Sequence, residues 1–408
     1  TIMPRQDKNI KQAKEIPIEK VVSPILSLPQ PKPISPIYEN DKVEEKNFSF
    51  SYMGTTCEVR LPKDLNIRMS GCESCMIATI WKQLATNAMD NTIRDFLALR
   101  LKMQLCDWAY LNLIDTFAKA FCGHGNEAVI MAAFIYSQSG YKMRLGRDCE
   151  KLYLLYGSKH GIYEKGYIVI EGINYYPLDD KVERMEISDF SFPQEQSMSL
   201  YIENAQKFTI RPSAKRKLAS EQYHDVIIDS QVNLNLIQFY NTYPSSEVNG
   251  NFMTRWKMYA DTPMDESVSQ MLYPDIKNKI EGLSDVQAVN QILNWIQTAF
   301  QYEYDDKVWG HDRAFFAEET LYYPYCDCED RAILFTRLVR DLLGLKCILV
   351  YYPGHLASAV CFKQQVNGDY ISLDGDVYTI CDPTYIGAPV GITMPEMDNR
   401  SAKVIKLL

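Results

Sequence analysis

The chain has 408 residues, which is enough for two domains with separate cores. Hydrophobic residues make up 46% of it and charged residues 23%, a composition that excludes a largely disordered protein. The net charge of -9 argues against nucleic-acid binding, because no basic stripe accompanies it. The short basic cluster at residues 215–217 is typical of a solvated loop.

Eleven cysteines are scattered without regular spacing, so no complete disulfide framework is predicted. Cys106, Cys347 and Cys361 lie in apolar runs and are expected to be small core residues. Cys72 and Cys75 have the spacing of a metal or redox pair, but neither a second such pair nor a histidine pair accompanies them. A structural role is favoured for this pair, and no metal site is predicted.

No run of about 18 apolar residues occurs, so no transmembrane segment is predicted. The chain begins at Thr1 rather than at a methionine, and removal of a secretory signal is one explanation of this start. An extracytoplasmic location, periplasmic or secreted, is therefore slightly favoured over a cytoplasmic one.

The first half of the chain divides into an arm and a mixed segment. Residues 1–45 carry closely spaced prolines, which favour an extended arm or linker. Residues 47–62 alternate apolar and polar side chains around Gly54, a pattern typical of a β-hairpin. Apolar residues at helical spacing predict helices over residues 74–121, and a strand-rich stretch follows.

The second half begins with a segment that carries no recognisable chemistry. Residues 196–265 contain short alternating patterns and turn signals, which predict a β-rich connecting segment. Ser284 is a good N-cap for the amphipathic stretch that continues to Tyr302, and this stretch predicts a helix. The helix leads into residues 326–385, where the chemically informative residues lie.

An internal repeat relates the two halves of the chain. Residues 126–145 align with residues 330–349, and residues 167–179 align with residues 370–382 at nearly the same offset. A chance match between two helix-then-strand patterns is the alternative, but the near-constant offset over two separated blocks favours a duplication. The predicted segments are a proline-rich arm or linker (1–45), a degenerate repeat (46–195), a β-rich connecting segment (196–265) and a catalytic domain (266–408).

Cys328 stands immediately before an apolar helical stripe that Gly344 closes as a C-cap. The thiol is therefore expected at a helix N-terminus. There the unpaired backbone N–H groups and the positive end of the helix dipole favour the thiolate, which is the reactive form. The same amides are suited to an oxyanion hole.

Two further candidate residues follow at strand ends. His355 begins a predicted strand after a Pro-Gly break, and a neutral imidazole there is suited to exchange a proton with Cys328. Asp382 ends a later strand just before a proline, and its carboxylate is suited to accept a hydrogen bond from His355. Each residue taken singly has a structural explanation, but their order and context together favour a catalytic triad.

The strings CEDRA, PGHLASAV and CDPTY resemble the catalytic core of the transglutaminase-like superfamily, a papain-related group of transglutaminases, cysteine peptidases and peptide N-glycanases. The resemblance covers about residues 270–408 and points to the microbial branch. It implies an α+β fold in which the Cys-bearing helix packs on an antiparallel sheet, and the internal repeat predicts a second, degenerate N-terminal copy of that fold. It further implies Cys328 as nucleophile, His355 as general base and acid, and Asp382 as orienting carboxylate.

In the first repeat the nucleophile position falls on His124, and the histidine position falls near Lys151 or Leu152. Only the aspartate is kept, as Asp179. The first copy is therefore expected to have kept the scaffold for binding or support.

Several residues near the triad have competing interpretations. The resemblance implies an upstream oxyanion donor, often a tryptophan, for which Trp309 and Trp295 are candidates, with core packing as the alternative for each. His311 is a rival base, but it lacks a following strand and a carboxylate partner, so a loop position near the cleft is favoured. The acidic neighbours Asp327 and Glu329 disfavour a thiolate.

These features predict a cysteine hydrolase, a peptidase or amidase, that cleaves peptide or side-chain amide bonds of a peptide or protein substrate through a thioester. The alternative is a non-catalytic protein- or peptide-binding scaffold that retains the triad, and a strained redox or metal pair of Cys326 and Cys328 is a weaker one. No cofactor is predicted. Some members of the superfamily bind calcium, but EF-hand spacing is missing among the loop carboxylates Asp305, Asp306, Asp374 and Asp376.

Overall fold

The computed structural model describes residues 14–15, 19–21, 32–179, 184–397 and 402–408. The fold is mixed, 36% helical and 24% strand with antiparallel sheets, which is consistent with the expected α+β class. Most of the predicted proline-rich arm, residues 1–45, lies outside the described residues. The chain divides into an N-terminal unit, Leu26–Thr209 with Thr242–Gly250, and a C-terminal unit, Thr1–Ile25, Ile210–Asn241 and Asn251–Leu408.

The helices are numbered in chain order. They are α1 (Ser74–Leu84), α2 (Asp90–Met103), α3 (Asp107–Cys122), α4 (Asn126–Gln138), α5 (Leu234–Thr242), α6 (Met253–Asp261), α7 (Glu266–Ile280), α8 (Asp285–Ala299), α9 (Asp305–Val308), α10 (Ala317–Tyr322) and α11 (Cys328–Leu343).

The strands are numbered in the same way. They are β1 (Lys14–Glu15), β2 (Glu19–Val21), β3 (Glu45–Tyr52), β4 (Thr55–Pro62), β5 (Met143–Asp148), β6 (Lys151–Ser158), β7 (Gly161–Ile162), β8 (Ile168–Ile170), β9 (Ile173–Pro177), β10 (Glu186–Ile187), β11 (Arg216–Ala219), β12 (Ile227–Ser230), β13 (Ser246–Glu247), β14 (Gln301–Tyr302), β15 (Tyr325–Cys326), β16 (Cys347–Tyr352), β17 (His355–Val360), β18 (Asp369–Leu373), β19 (Asp376–Cys381) and β20 (Lys403–Lys406).

The N-terminal unit contains the predicted hairpin and helices. Strands β3 and β4 pair in antiparallel register around Gly54, and α1, α2 and α3 occupy the span predicted to be helical, so both predictions are confirmed. Helix α4 precedes a five-stranded antiparallel sheet with the strand order β10-β5-β6-β9-β8. In this N-terminal unit, helix α1 packs against helix α4.

The C-terminal unit contains a seven-stranded sheet with the order β1-β18-β19-β17-β16-β20-β2. Each of its five central strands is antiparallel to its neighbours among them. Strands β1 and β2 pair with the two outer strands of this set in parallel orientation. Helices α8 and α11 pack together on one face, and a second apolar cluster covers the other face. The helix that begins at Cys328 is therefore held against the sheet that carries His355.

Local sequence signals account for the boundaries of these elements. Ser284 caps α8, because its hydroxyl accepts from the Gln287 N–H at 3.3 Å while the Gln287 side chain accepts from the Ser284 N–H at 3.0 Å. Gly344 ends α11 in the left-handed conformation, with a φ of 63°. Gly354 has a φ of 80° in the two-residue turn that joins β16 to β17, a conformation that favours glycine.

The prediction of a β-rich segment over residues 196–265 is wrong for its second half, where α5 and α6 form. The stretch before and within α5 alternates polar and apolar residues, which favoured a strand in the sequence. Asn233 instead starts a helix, because its side-chain oxygen accepts from the Asn235 N–H at 3.1 Å. Leu236, Ile237 and Tyr240 are then buried at spacings of three and four.

Two buried glutamates lie in α10. Glu318 is 1% exposed, and its carboxyl accepts from the Asp265 N–H at 2.6 Å. Burial raises the pKa of Glu318 to about 8 and that of Glu319 to about 7. The folded protein therefore retains protons that the unfolded chain loses.

Replacing Glu318 by glutamine is expected to weaken the pH dependence of stability. Because the folded pKa lies above the ordinary value of 4.5, the free energy of unfolding falls as the pH rises from 4.5 to about 8. Glu318→Gln should remove a decrease on the order of a few kcal/mol in the free energy of unfolding between pH 4.5 and pH 8. Urea unfolding at these two pH values measures it. Glu281→Gln, at an exposed position, is the control. An unchanged pH dependence in Glu318→Gln would mean that this carboxyl is already ionised in the folded protein.

Candidate active site

Cys328 is the first residue of α11, as the sequence predicts, and its side chain is nearly buried (8% exposed). The thiol donates a hydrogen bond to the Glu329 carboxylate at 3.1 Å. The sulfur also lies within reach of the backbone N–H of Leu356, which favours the thiolate. Leu356 directly follows His355 in β17, so the sulfur and the histidine strand lie next to each other.

Within the candidate triad, His355 and Asp382 contact each other directly. The Nε2 atom of His355 lies 2.8 Å from Oδ2 of Asp382, and both side chains are buried. His355 begins β17 and Asp382 directly follows β19, as the strand patterns predict. The two residues are therefore brought together by neighbouring strands of one sheet.

The Asp382 carboxylate is held in place by its own turn. Its second oxygen, Oδ1, accepts from the backbone N–H groups of Thr384 at 2.9 Å and Tyr385 at 3.2 Å. Gln297 of α8 donates to the Asp382 carbonyl at 2.9 Å and to the Ala388 carbonyl at 3.0 Å. One oxygen is thus fixed toward His355 while the other is used by the backbone.

Arg331 joins the first turn of α11 to the end of α8. Its guanidinium is buried and donates to the carbonyl groups of Phe300 at 2.8 Å and Gln297 at 3.3 Å. These carbonyls lie at the C-terminal end of α8, where unpaired acceptors and the negative end of the helix dipole attract a cation. Arg331 also contacts the Cys326 sulfur at 3.5 Å, so Cys326 lines the start of α11.

Asp330 organises the loop before α11. Its fully buried carboxylate accepts from the Phe315 N–H at 2.8 Å and from the Asp327 N–H at 3.0 Å. The carboxyl of Asp327 is nearly buried as well, and burial together with Asp330 and Glu329 raises its pKa to about 11. Asp327 therefore holds its proton more tightly than an exposed aspartate does.

The helix start does not by itself make Cys328 acidic. Burial raises the pKa of the Cys328 thiol well above its usual value, and the nearby Glu329 and Asp327 carboxyls raise it further. The Leu356 N–H acts in the opposite direction but is outweighed. The sequence predicted that the helix N-terminus would favour the thiolate. In the structure the surroundings of Cys328 favour the protonated thiol, which donates a hydrogen bond to Glu329.

Tyr302 is a neighbour of Cys328 that the sequence did not single out. It lies in β14, which pairs in parallel with β15 so that Tyr302 is opposite Cys326. Burial raises the pKa of Tyr302, and Cys328 and Asp327 act in the same direction. The Arg331 guanidinium lies 5.3 Å from the centre of the Tyr302 ring.

The residues proposed from the sequence as oxyanion donors or cleft residues make their contacts with other groups than Cys328. Trp295 is in the core, and its indole N–H donates to the Leu218 carbonyl at 3.1 Å. Trp309 packs edge-on against Tyr323, with ring centres 5.0 Å apart. His311 is exposed, and its ring nitrogen lies 3.1 Å from the Trp309 carbonyl. Among the hydrogen bonds and ring contacts of residues 184–397, none joins Trp309 or His311 to Cys328.

Acidic groups near the thiol are close enough to share a cation. Ligand atoms of Asp305, Asp312 and Glu329 lie within 4.8 Å of one another, and so do those of Asp327, Cys328 and Glu329. Two other loop carboxylates are engaged in ion pairs: Asp374 with Lys406 at 2.5 Å and Asp376 with Lys346 at 2.7 Å.

The remaining cysteine pair lies in the N-terminal unit. Cys72 is buried and donates to the Cys149 carbonyl at 3.3 Å, whereas Cys75 is exposed on α1. All eleven cysteines are free thiols. Within the described residues, no group of possible metal ligands includes Cys72 or Cys75.

Comparison with known proteins assigns no family to the chain. Neither a protein-family model, nor a curated protein, nor a solved structure matches it. The resemblance to the transglutaminase-like superfamily therefore stays a prediction from the motifs. In the part of the chain that the structure describes, no helix is both long enough and apolar enough to cross a bilayer.

Replacing Glu329 by glutamine is expected to make the Cys328 thiol more reactive. The change removes the charge that accepts the thiol hydrogen bond and disfavours the thiolate. Alkylation of Cys328 by iodoacetamide should accelerate about tenfold at pH 7, measured by peptide mass spectrometry. Glu281→Gln controls for the general loss of one negative charge. A slower reaction in Glu329→Gln would instead mean that Glu329 serves as the base for the thiol.

Proposed function

We propose that the C-terminal unit is a transglutaminase-like cysteine hydrolase, a peptidase or amidase, that forms a thioester on Cys328. The observation that carries this proposal is the buried 2.8 Å contact between His355 and Asp382, with the Cys328 sulfur beside the backbone of the same strand. A histidine oriented by a carboxylate next to a thiol at a helix start is the arrangement used for nucleophilic catalysis. The substrate is a peptide or protein amide, and no cofactor is required.

In the proposed reaction the ring nitrogens of His355 have separate roles. Nε2 is bound to Asp382, so Nδ1 accepts the proton from Cys328 as the sulfur attacks the amide carbon. The tetrahedral oxyanion then collapses, the carbon–nitrogen bond breaks, and His355 returns the proton to the departing amine. Water hydrolyses the thioester by the reverse use of the same imidazole, releasing the acid and the free thiol.

We further propose that the C-terminal unit has a papain-related core and that the two units arose by duplication. Supporting this, α4 is followed by a sheet ordered β10-β5-β6-β9-β8, and α11 by strands ordered β20-β16-β17-β19-β18. When the five strands of each set are numbered by their order along the chain, both sets run fifth, first, second, fourth and third across the sheet. The residue aligned with Cys328 is His124, which lies two residues before α4, and Asp179 is half exposed beside Lys119. We therefore propose that the N-terminal copy has lost the nucleophile.

Replacing Cys328 by alanine is expected to abolish the hydrolytic activity while leaving the fold intact, because the side chain becomes smaller at a helix start. The measurement pairs two readouts on unfolded casein: new amino termini for peptidase activity and released ammonia for amidase activity. Cys149→Ala, at an exposed cysteine of the N-terminal unit, is the control and should retain activity. A Cys328→Ala protein that produces either product as fast as the parent would exclude the proposed nucleophile.

A non-catalytic peptide-binding scaffold is the second candidate. The observation that favours it is the protonated thiol, which donates to Glu329 and whose pKa is raised. Alkylation rates separate the two candidates, because an activated thiol reacts faster than an exposed ordinary one. The hydrolase predicts that iodoacetamide modifies Cys328 faster than the exposed Cys75 and Cys149 at neutral pH. The scaffold predicts that Cys328 is the slowest of the three.

We propose Tyr302 as a donor to the tetrahedral oxyanion, because its partner across the β14–β15 pair is Cys326, two residues before Cys328. Tyr302→Phe should slow acylation of Cys328 by p-nitrophenyl acetate about ten- to a hundredfold. It should leave alkylation by iodoacetamide nearly unchanged, because that displacement forms no oxyanion. Tyr304→Phe, at an exposed neighbouring tyrosine, controls for a general effect on the site. Equal slowing of both reactions would show that Tyr302 only supports the packing around Cys328.

A further inference from the structure

The N-terminal unit contains a cavity of about 480 Å³ that the proposed chemistry does not use. It lies where β6 ends, against the β8–β9 hairpin and the segment that follows β13. Its volume falls in the range of small-molecule sites. The nucleophile position of the first repeat, at the start of α4, is not among the residues that line it.

His160 lines the cavity and is 1% exposed. Its Nε2 atom accepts a hydrogen bond from the Leu200 N–H at 3.0 Å, so the neutral imidazole carries its proton on Nδ1. Burial lowers the pKa of His160 to about 4, which keeps the ring neutral at physiological pH. In the described part of the chain, the buried Nδ1 has no acceptor. The Nδ1 atom is closed off from the cavity, so the neutral ring forms part of its uncharged wall.

Tyr176 provides a hydrogen-bond donor in the same cavity. Its hydroxyl accepts from the Ile162 N–H at 3.1 Å and from the Asn174 side-chain amide at 3.4 Å. Both bonds use the oxygen as acceptor, so the hydroxyl proton remains for a ligand. Tyr167 stands beside it, 55% exposed, with the two ring centres 5.5 Å apart, and its ring offers an apolar face.

The charges that line the cavity are of opposite sign. Lys159 is exposed, and within residues 32–179 and 184–397 it makes no ion pair. Glu247 accepts a hydrogen bond from the Tyr163 hydroxyl. The carboxylate disfavours an anionic ligand and the ammonium disfavours a cationic one. A neutral ligand that both donates and accepts hydrogen bonds satisfies the whole lining.

We propose that this cavity binds a neutral carbohydrate. Each sugar hydroxyl donates and accepts, which suits a lining that combines the Lys159 ammonium, the Glu247 carboxylate and the Tyr176 hydroxyl. The C–H face of a sugar ring packs on the face of an aromatic ring such as Tyr167, because the ring face is electron-rich. The proposal stands independently of the chemistry at Cys328.

The test uses the full chain and neutral trisaccharides of glucose, galactose, mannose or N-acetylglucosamine, screened by saturation-transfer NMR and quantified by calorimetry. At least one is expected to bind with a Kd of about 0.1–1 mM. Tyr167→Ala should weaken that binding about tenfold. Glu247→Gln should weaken it as well, since the charged acceptor is lost. Alkylation of Cys328 should be unchanged in both variants.

Tyr38→Ala is the matched control, because Tyr38 is another exposed tyrosine of the N-terminal unit that does not line the cavity. Trigalacturonate and N-acetyl-trialanine amide serve as anionic and peptide comparators. The proposal is overturned if no neutral trisaccharide binds, if Tyr167→Ala and Glu247→Gln bind as tightly as the parent, or if either comparator binds more tightly than every neutral sugar.

Discussion

Arg331 binds the carbonyl groups at the C-terminal end of α8, and the candidate site of the C-terminal unit depends on this contact. Gln297, near the end of the same helix, donates to the Asp382 carbonyl. The helix that carries Cys328 and the turn that carries Asp382 are thus fixed to one common element. A buried guanidinium is costly unless its hydrogen bonds are made, and here the acceptors are carbonyls that α8 itself cannot satisfy.

The same turn of α11 also creates an electrostatic conflict. Asp327 and Glu329 lie beside the sulfur, Asp330 follows in the same turn, and burial raises the pKa of both aspartates. Asp330 is used to hold the loop, whereas Glu329 accepts the thiol hydrogen bond. A thiolate at Cys328 therefore requires either an imidazolium at His355 or the removal of the charge at Glu329. Reactivity in the proposed enzyme is limited by this acidic neighbourhood and not by the position of the thiol.

Much of the site could be predicted because it rests on local patterns. The apolar stripe that begins after Cys328 and the Pro-Gly turn before His355 each set an element boundary, and the structure places both where expected. The role of Gln297 depends on contacts between distant segments, although a glutamine on the buried face of α8 was a usable signal. Helix α5 was missed because its alternating residues fit a strand, while the asparagine cap that starts it acts only through the folded backbone.

The central claim is that Cys328, His355 and Asp382 act as one coupled unit. The most direct measurement is the rate at which iodoacetamide alkylates Cys328 at pH 7, in the parent protein and in His355→Ala. If the imidazole takes up the thiol proton, the replacement should slow alkylation about tenfold or more. Equal rates in the two proteins would contradict the account, because they would show that the sulfur and the imidazole do not exchange a proton.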